Sequence, residues 1–231
     1  MLKNKTINMG VVKKVATALE DLNDEIAYVG GATVSIYADD PIAEDVRPTK
    51  DVDIMLRIAT FAELAALQDK LASKSIYPDP EANVNCRFKY EDVLIDVMST
   101  QEVGWAPSDP WFEPGFKSLM KYKLDSEVTI RVFTAPYFLA TKFSAFHDRA
   151  NDPRTSTDFE DIVYVLDSRV NIVDEIRNAP NDVQNYLKDQ LKIFLRADMG
   201  ESISCHLSPF QADERLELLR QKVRSILDIN G

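Results

Sequence analysis

The sequence predicts an α/β (α+β) protein: a mixed sheet with flanking helices over residues 1–128, then an all-helical domain over residues 129–231. Three observations predict it. Short apolar runs bounded by turn residues recur between Ile26 and Met98, one of them ends on a Gly-Gly turn, and beyond Leu124–Val132 the apolar spacing is helical almost without break.

Composition sets the outer limits. The 231 residues, 45% hydrophobic and 28% charged, are enough for one large or two small domains with a real core. No window approaches the length of a membrane span, and Met1-Leu2-Lys3-Asn4-Lys5 lacks the apolar stretch of a signal peptide, so a cytoplasmic chain with no membrane partner is expected. Cys86 and Cys205 have no metal-ligand spacing and are expected to pack as small hydrophobes. With 27 basic and 38 acidic residues the net charge is −11, which opposes broad contact with nucleic acid but leaves room for a local site holding one triphosphate or an RNA end.

Each element follows from its pattern. Val12, Val15, Ala16, Leu19 and Leu22 recur at helical spacing and predict a first helix over Val11–Leu22. Ile26–Val29 reads as a short buried strand closing at Gly30-Gly31, with Ala32–Tyr37 continuing as a helix. Strand, glycine turn and helix together present backbone N–H groups to a phosphate. Residues 38–46 hold Asp39, Asp40, Glu44, Asp45 and Pro41 without periodicity and read as an exposed acidic loop.

Asp51–Leu56 reads as the second strand. Thr60 with Glu63 predicts a capping box for the helix that follows. Val84–Tyr90 and Val93–Met98 flank Glu91-Asp92 as a hairpin with a two-residue turn. Trp105, Trp111, Phe112 and Phe116 read as a packed connection. Helices are predicted at Pro136–Ala150, Thr157–Ser168, Val170–Arg177, Asn181–Arg196 and Pro209–Leu227. His147 and His206 have no ligand spacing and are placed at surfaces.

The chemistry sits in three carboxylates. Asp51 and Asp53, two apart on a strand, project from one face. Asp96 interrupts the apolar run Val93–Met98, and a carboxylate there needs a partner. If the two strands are neighbours, the three converge and suit one or two Mg²⁺ ions, with Mn²⁺ as a substitute; two such ions clamp the attacking and leaving oxygens of an in-line phosphoryl displacement. Taken singly, Asp51 and Asp53 could be a solvated strand end, Gly30-Gly31 an ordinary turn, and Arg47 a surface residue or a fork on a triphosphate.

Gly30-Gly31, then Asp51-x-Asp53, then a third carboxylate on a later strand resemble the nucleotidyltransferase superfamily typified by DNA polymerase beta. Gly30-Gly31-Ala32 followed by Arg47-x-Thr49-x-Asp51-x-Asp53 is most similar to the AbiEii-type nucleotidyltransferase toxins of toxin–antitoxin and phage-defence systems. Lys142, Arg149, Asp158 and Asp161 match that family's second motif. The resemblance covers roughly residues 26–166, and the acidic loop lengthens the interval between the glycines and Asp51.

The resemblance implies a nucleotidyltransferase fold whose helical domain closes a cleft. It also implies transfer of a nucleoside monophosphate from an NTP to an acceptor hydroxyl, with an RNA or tRNA end favoured and an antitoxin as partner. Asp51, Asp53 and Asp96 are the metal and catalytic candidates. Gly30, Gly31, Thr33, Arg47, Lys142 and Asp158 are the nucleotide-binding candidates, Lys142 also serving catalysis.

Lys142 has an argument of its own. On a helix at ~100° per residue it falls inside the apolar arc of Phe138, Leu139, Phe143, Ala145 and Phe146, where an ammonium needs an anion. A nucleotide phosphate or Asp158 could meet it, or its head could reach solvent along the aromatic stem contacts. The same periodicity points Asp161 outward; Asp158, in the first turn of its helix, could equally be held there by the macrodipole. The acidic surface keeps a protein or small-molecule acceptor open. A binding protein that keeps the fold without turnover is the competing class, and retention of all three carboxylates speaks against it.

Overall fold

The computed structural model describes residues 3–149 and 152–228. It divides into two compact units: residues up to Ser35 with Asp45–Thr134, and Ile36–Glu44 with the chain from Ala135 onward. The predicted boundary at residue 128 therefore falls one strand early, because Thr129–Phe133 pairs within the sheet of the first unit.

In the first unit the strands are β1 (Ile26–Val29), β2 (Asp51–Leu56), β3 (Tyr77–Pro78), β4 (Arg87–Tyr90), β5 (Val93–Ser99), β6 (Leu119–Lys123) and β7 (Thr129–Phe133). Its helices are α1 (Lys3–Leu19), α2 (Phe61–Ser73) and the short α3 (Phe112–Phe116). The strands form one mixed sheet in the order β3-β4-β5-β2-β1-β7-β6. β2 runs antiparallel to β1 and parallel to β5, so the two carboxylate-bearing strands are neighbours.

The capping box and the β4–β5 hairpin form as read, although β4 starts at Arg87 rather than Val84. Thr60 Oγ1 accepts from Glu63 N, and Glu63 Oε2 accepts from Ala59 N and Thr60 N, completing the capping box of α2. Glu91-Asp92 closes the β4–β5 hairpin with Tyr90 opposite Val93. Trp105 packs on Phe88 at 5.4 Å between ring centres, so the aromatic run is structural there. By contrast, α1 begins eight residues before the predicted Val11, because Asp45 caps it from a distant loop. The segment after the glycines is a 3-10 turn, Gly31–Ile36, rather than an α-helix.

The second unit is helical: α4 (Ala135–Arg149), α5 (Thr157–Ser168), α6 (Ile172–Arg177), α7 (Asn181–Leu191), α8 (Gly200–Ser204) and α9 (Ala212–Ile226). Predicted residue Ala150 lies outside the described residues. α8 was not anticipated, and the helix predicted to Arg196 ends at Leu191 in a 3-10 turn. The core stacks Phe159 on Phe194 at 5.4 Å, with Phe143, Phe146 and His206 around them. His206 is thus a core-edge residue, its Nε2 2.8 Å from Pro153 O, rather than a surface one.

Much of the acidic loop is spent on structure. Asp39 pairs with Arg169 at 3.0 Å and accepts from Val170 N at 2.7 Å, while Arg215 bridges Asp40 at 3.3 Å and Asp167 at 2.7 Å. Lys222, its ammonium pushed to a lower pKa by burial, donates to the carbonyls of Leu166, Asp167 and Arg169 and closes the C-terminal end of α5.

Candidate active site

The site starts at the end of β1. Val29 stands opposite Asp53 in the antiparallel ladder, so the chain leaves the sheet beside that carboxylate. Gly30 has φ +72°, the left-handed region that side chains disfavour, and a β-carbon on it would fall within the Asp53 carboxylate. A β-carbon on Gly31 would come 2.7 Å from Arg47 Nη2 and 3.1 Å from Nη1. The two glycines are therefore needed for separate reasons: the first lets Asp53 lie against the turn, and the second lets the Arg47 guanidinium do so. The Thr33 hydroxyl is buried and donates to Gly30 O at 2.9 Å; its own N–H reaches the same carbonyl at 3.2 Å. Thr33 holds the turn closed.

Arg47 is aimed from α1. Asn8 is wholly buried on the stripe it shares with Val12, Val15, Ala16 and Leu19. Its Nδ2 donates to Arg47 O at 2.9 Å and its Oδ1 accepts from Thr49 N at 3.0 Å, gripping the backbone on both sides of Pro48. One step earlier, Asp45 accepts from Asn4 N at 2.8 Å and Lys5 N at 2.9 Å. Burial pushes the Asp45 carboxyl up, but the backbone N–H groups of Asn4, Lys5, Val46 and Lys3 outweigh it and hold the group below the usual carboxylate range. The segment entering β2 is thereby fixed to the first two turns of α1.

The carboxylates share one face. Asp51 and Asp53 alternate with buried Val52 and Ile54, and Asp53 pairs in parallel register with Asp96, which alternates with buried Ile95 and Val97. All three acids are part-exposed while their alternates are covered. The partner that Asp96 needed is an arginine. Arg87, opposite it in the hairpin, donates from Nε to Oδ1 and from Nη2 to Oδ2, both at 2.7 Å, and Nη2 also stands 3.6 Å from Asp51 Oδ2. The Asp96 hydrogen bonds raise the Arg87 pKa further above its ordinary value. Beside it, burial pushes the Cys86 thiol pKa up, and the Asp96 charge adds to the effect.

Oxygen donors on adjacent strands in register match the ligand chemistry of a hard divalent cation. Among the described residues, however, no three acidic, histidine or cysteine side chains are grouped to hold one as they lie. Both oxygens of Asp96 are engaged by the Arg87 fork.

In the second unit, Lys142 is buried and lies between two carboxylates, 3.1 Å from Asp158 Oδ1 and 2.7 Å from Asp161 Oδ2. Arg149, two turns along α4, meets the other Asp158 oxygen at 2.5 Å. Asp161 is thus not outward: it is 2% exposed and the nearer partner of Lys142. The periodicity misled because α5 is covered on both sides, Phe159, Ile162 and Val163 on one and Asp158, Asp161 and Val165 on the other. The four charges balance, and Lys142 is buried among them.

Sequence reasoning missed Asn8 and Arg87. Arg87 was recoverable, since a two-residue turn at Glu91-Asp92 sets residue 87 opposite 96 by register. Asn8 stands four residues before Val12, on the same stripe, and a polar side chain there signals a buried hydrogen-bonding role.

The comparisons agree with this architecture. No curated protein matches the chain in sequence. An antigenic nucleotidyltransferase-like protein from Paracoccidioides brasiliensis is similar in structure, with TM-score 0.54 at 17% identity over 84% of this chain and 92% of that one. The antibiotic-resistance factor ANT(2'')-Ia has TM-score 0.50 at 12% identity over 82% and 95%, and JHP933 from Helicobacter pylori has 0.50 at 11% over 98% and 94%. At these identities the likeness is one of fold. The family model described as "Nucleotidyl transferase AbiEii toxin, Type IV TA system" matches residues 17–228, and the chain belongs to that nucleotidyltransferase family.

Proposed function

We propose that the chain is a Mg²⁺-dependent enzyme that moves a nucleoside monophosphate from an NTP to an acceptor hydroxyl, with an RNA or tRNA end as acceptor. The observation that carries this reading is the packing at the glycine turn: Asp53 lies against Gly30 and Arg47 against Gly31, on the sheet face that also bears Asp51 and Asp96. A carboxylate and a guanidinium on one backbone turn suit a triphosphate with its counter-cation, and bind other anions poorly because Asp53 repels them.

The roles follow from placement. Arg47 and the backbone at Gly30-Gly31 would hold the triphosphate, and Asp51 and Asp53 would hold its cation. Mg²⁺, or Mn²⁺ in its place, supplies charge neutralisation across the phosphates when bound at these carboxylates. Asp96, released by Arg87, accepts the acceptor hydroxyl proton. The acceptor oxygen then bonds to the α-phosphorus, the bond to the bridging oxygen breaks, and pyrophosphate leaves with that electron pair. A direct role for Lys142 and Asp158 on the nucleotide is supported by the family resemblance; their geometry supports a structural one, the ion cluster holding α4 on α5.

Family membership supports a toxin with an antitoxin counterpart, and the chain's net charge of −11 favours a short RNA end over a long duplex as acceptor. The test is incubation of the full-length chain with each α-labelled NTP, Mg²⁺ and total cellular RNA, with cell protein in parallel. Label should enter RNA, and Asp51→Ala or Asp53→Ala should slow its entry by orders of magnitude. Label in protein alone would replace the acceptor class, and equal transfer by the variants would overturn the site.

A further inference from the structure

We infer that Arg87 is a built-in counter-cation of the carboxylate face, a positioning residue that holds Asp96 until a divalent cation takes its place. The inference rests on the Mg²⁺ reading above and concerns what keeps the third carboxylate out of the metal site.

The geometry is that of a competitor. Arg87 meets both oxygens of Asp96 at 2.7 Å and comes within 3.6 Å of Asp51, so one guanidinium spans two of the three acids. A divalent ion bound by Asp51, Asp53 and Asp96 needs those same oxygens, and a carboxylate whose two oxygens accept a bidentate fork is poorly placed to ligate as well. Without Arg87, three carboxylates would share one sheet face with like-charge repulsion unrelieved.

The pair is also placed to open. Arg87 begins β4, with only the two-residue β3 beyond that strand, and its side chain is 28% exposed against 13% for Asp96. A long, part-solvated guanidinium can rotate outward and be rehydrated, whereas Asp96 is fixed in the ladder between β4 and β2. The moving part is therefore Arg87. The cation that an NTP brings with it would displace Arg87 and engage one Asp96 oxygen, leaving the other to take the acceptor proton. The free enzyme would hold divalent cations weakly at Asp96, so that the complete site forms with the nucleotide.

The test is Mn²⁺ binding to the full-length chain without nucleotide, read from the free-ion electron paramagnetic resonance signal and independent of activity. Arg87→Met should tighten binding by about ten- to a hundredfold, the range of one or two charge-assisted hydrogen bonds no longer competed against. Arg87→Lys, which keeps the charge without the fork, should fall between Arg87→Met and wild type and covers the case in which Arg87→Met does not fold. Wild-type affinity in both variants overturns the inference and leaves the metal reading intact. Absence of Mn²⁺ binding in wild type and both variants overturns the metal reading and this inference with it.

Discussion

Gly30→Ala tests the candidate site at its tightest point. The substitution puts a β-carbon at φ +72°, which costs about 1–2 kcal/mol for an L residue. That is a minor part of the about 5–15 kcal/mol typical of a folded domain. The variant should therefore fold, its melting temperature lower by a few degrees. The larger effect is local, because the new carbon occupies the space of the Asp53 carboxylate, which must move by more than a bond length. A displacement of that size costs about a hundredfold in rate when it misaligns a catalytic group.

Nucleotidyl-transfer rates of Gly30→Ala, Asp53→Ala and the double variant form a cycle. If Gly30 matters because of Asp53, the double variant is no slower than Asp53→Ala. Losses that multiply would refute the reasoning. Gly31→Ala meets only the flexible end of Arg47 and should cost far less rate, with its effect in nucleotide KM.

Three further outcomes are expected. Asn8→Ala strips partners from Arg47 O and Thr49 N, a loss of about 1–3 kcal/mol. It should raise the NTP KM more than it lowers kcat in initial-rate assays, and an unchanged KM would count against the clamp. Lys142→Ala leaves Asp161 without its ammonium in a buried site and should remove about 3–5 kcal/mol of stability in urea denaturation, where a loss near zero would contradict a structural cluster. The folded pKa of Asp45 lies below its unfolded value of about 3.9, so its contribution is present above that value and is lost as pH falls through the lower folded one. Asp45→Asn should flatten the fall of melting temperature as the pH drops below about 4, and parallel curves for the two proteins would refute the capping role.

The legible parts of the protein were those set by local pattern. Strand alternation put Asp51 and Asp53 on one face, and the hairpin turn set the β4–β5 register. Thr60 and Glu63 announced their own helix, since a capping box is complete within four residues. What was not legible depended on distant partners. The first turns of α1 have weak periodicity and are secured by Asp45, some forty residues away. Asp161 was misplaced because a helical wheel separates apolar from polar residues, and α5 buries both. Asp96 was correctly read as a carboxylate in need of a partner. Attention to metals hid the arginine that the same hairpin places across from it.

The central claim is that the bond broken lies between the α- and β-phosphates. The most direct measurement compares NTP labelled at the α-phosphate with NTP labelled at the γ-phosphate, using wild type and Asp53→Ala with Mg²⁺ and RNA. α-Label should enter the acceptor, γ-label should appear in pyrophosphate in equal amount, and Asp53→Ala should give far less of both. Transfer of the γ-label to the acceptor, or no transfer of either label to RNA, protein or small molecules, would contradict the claim.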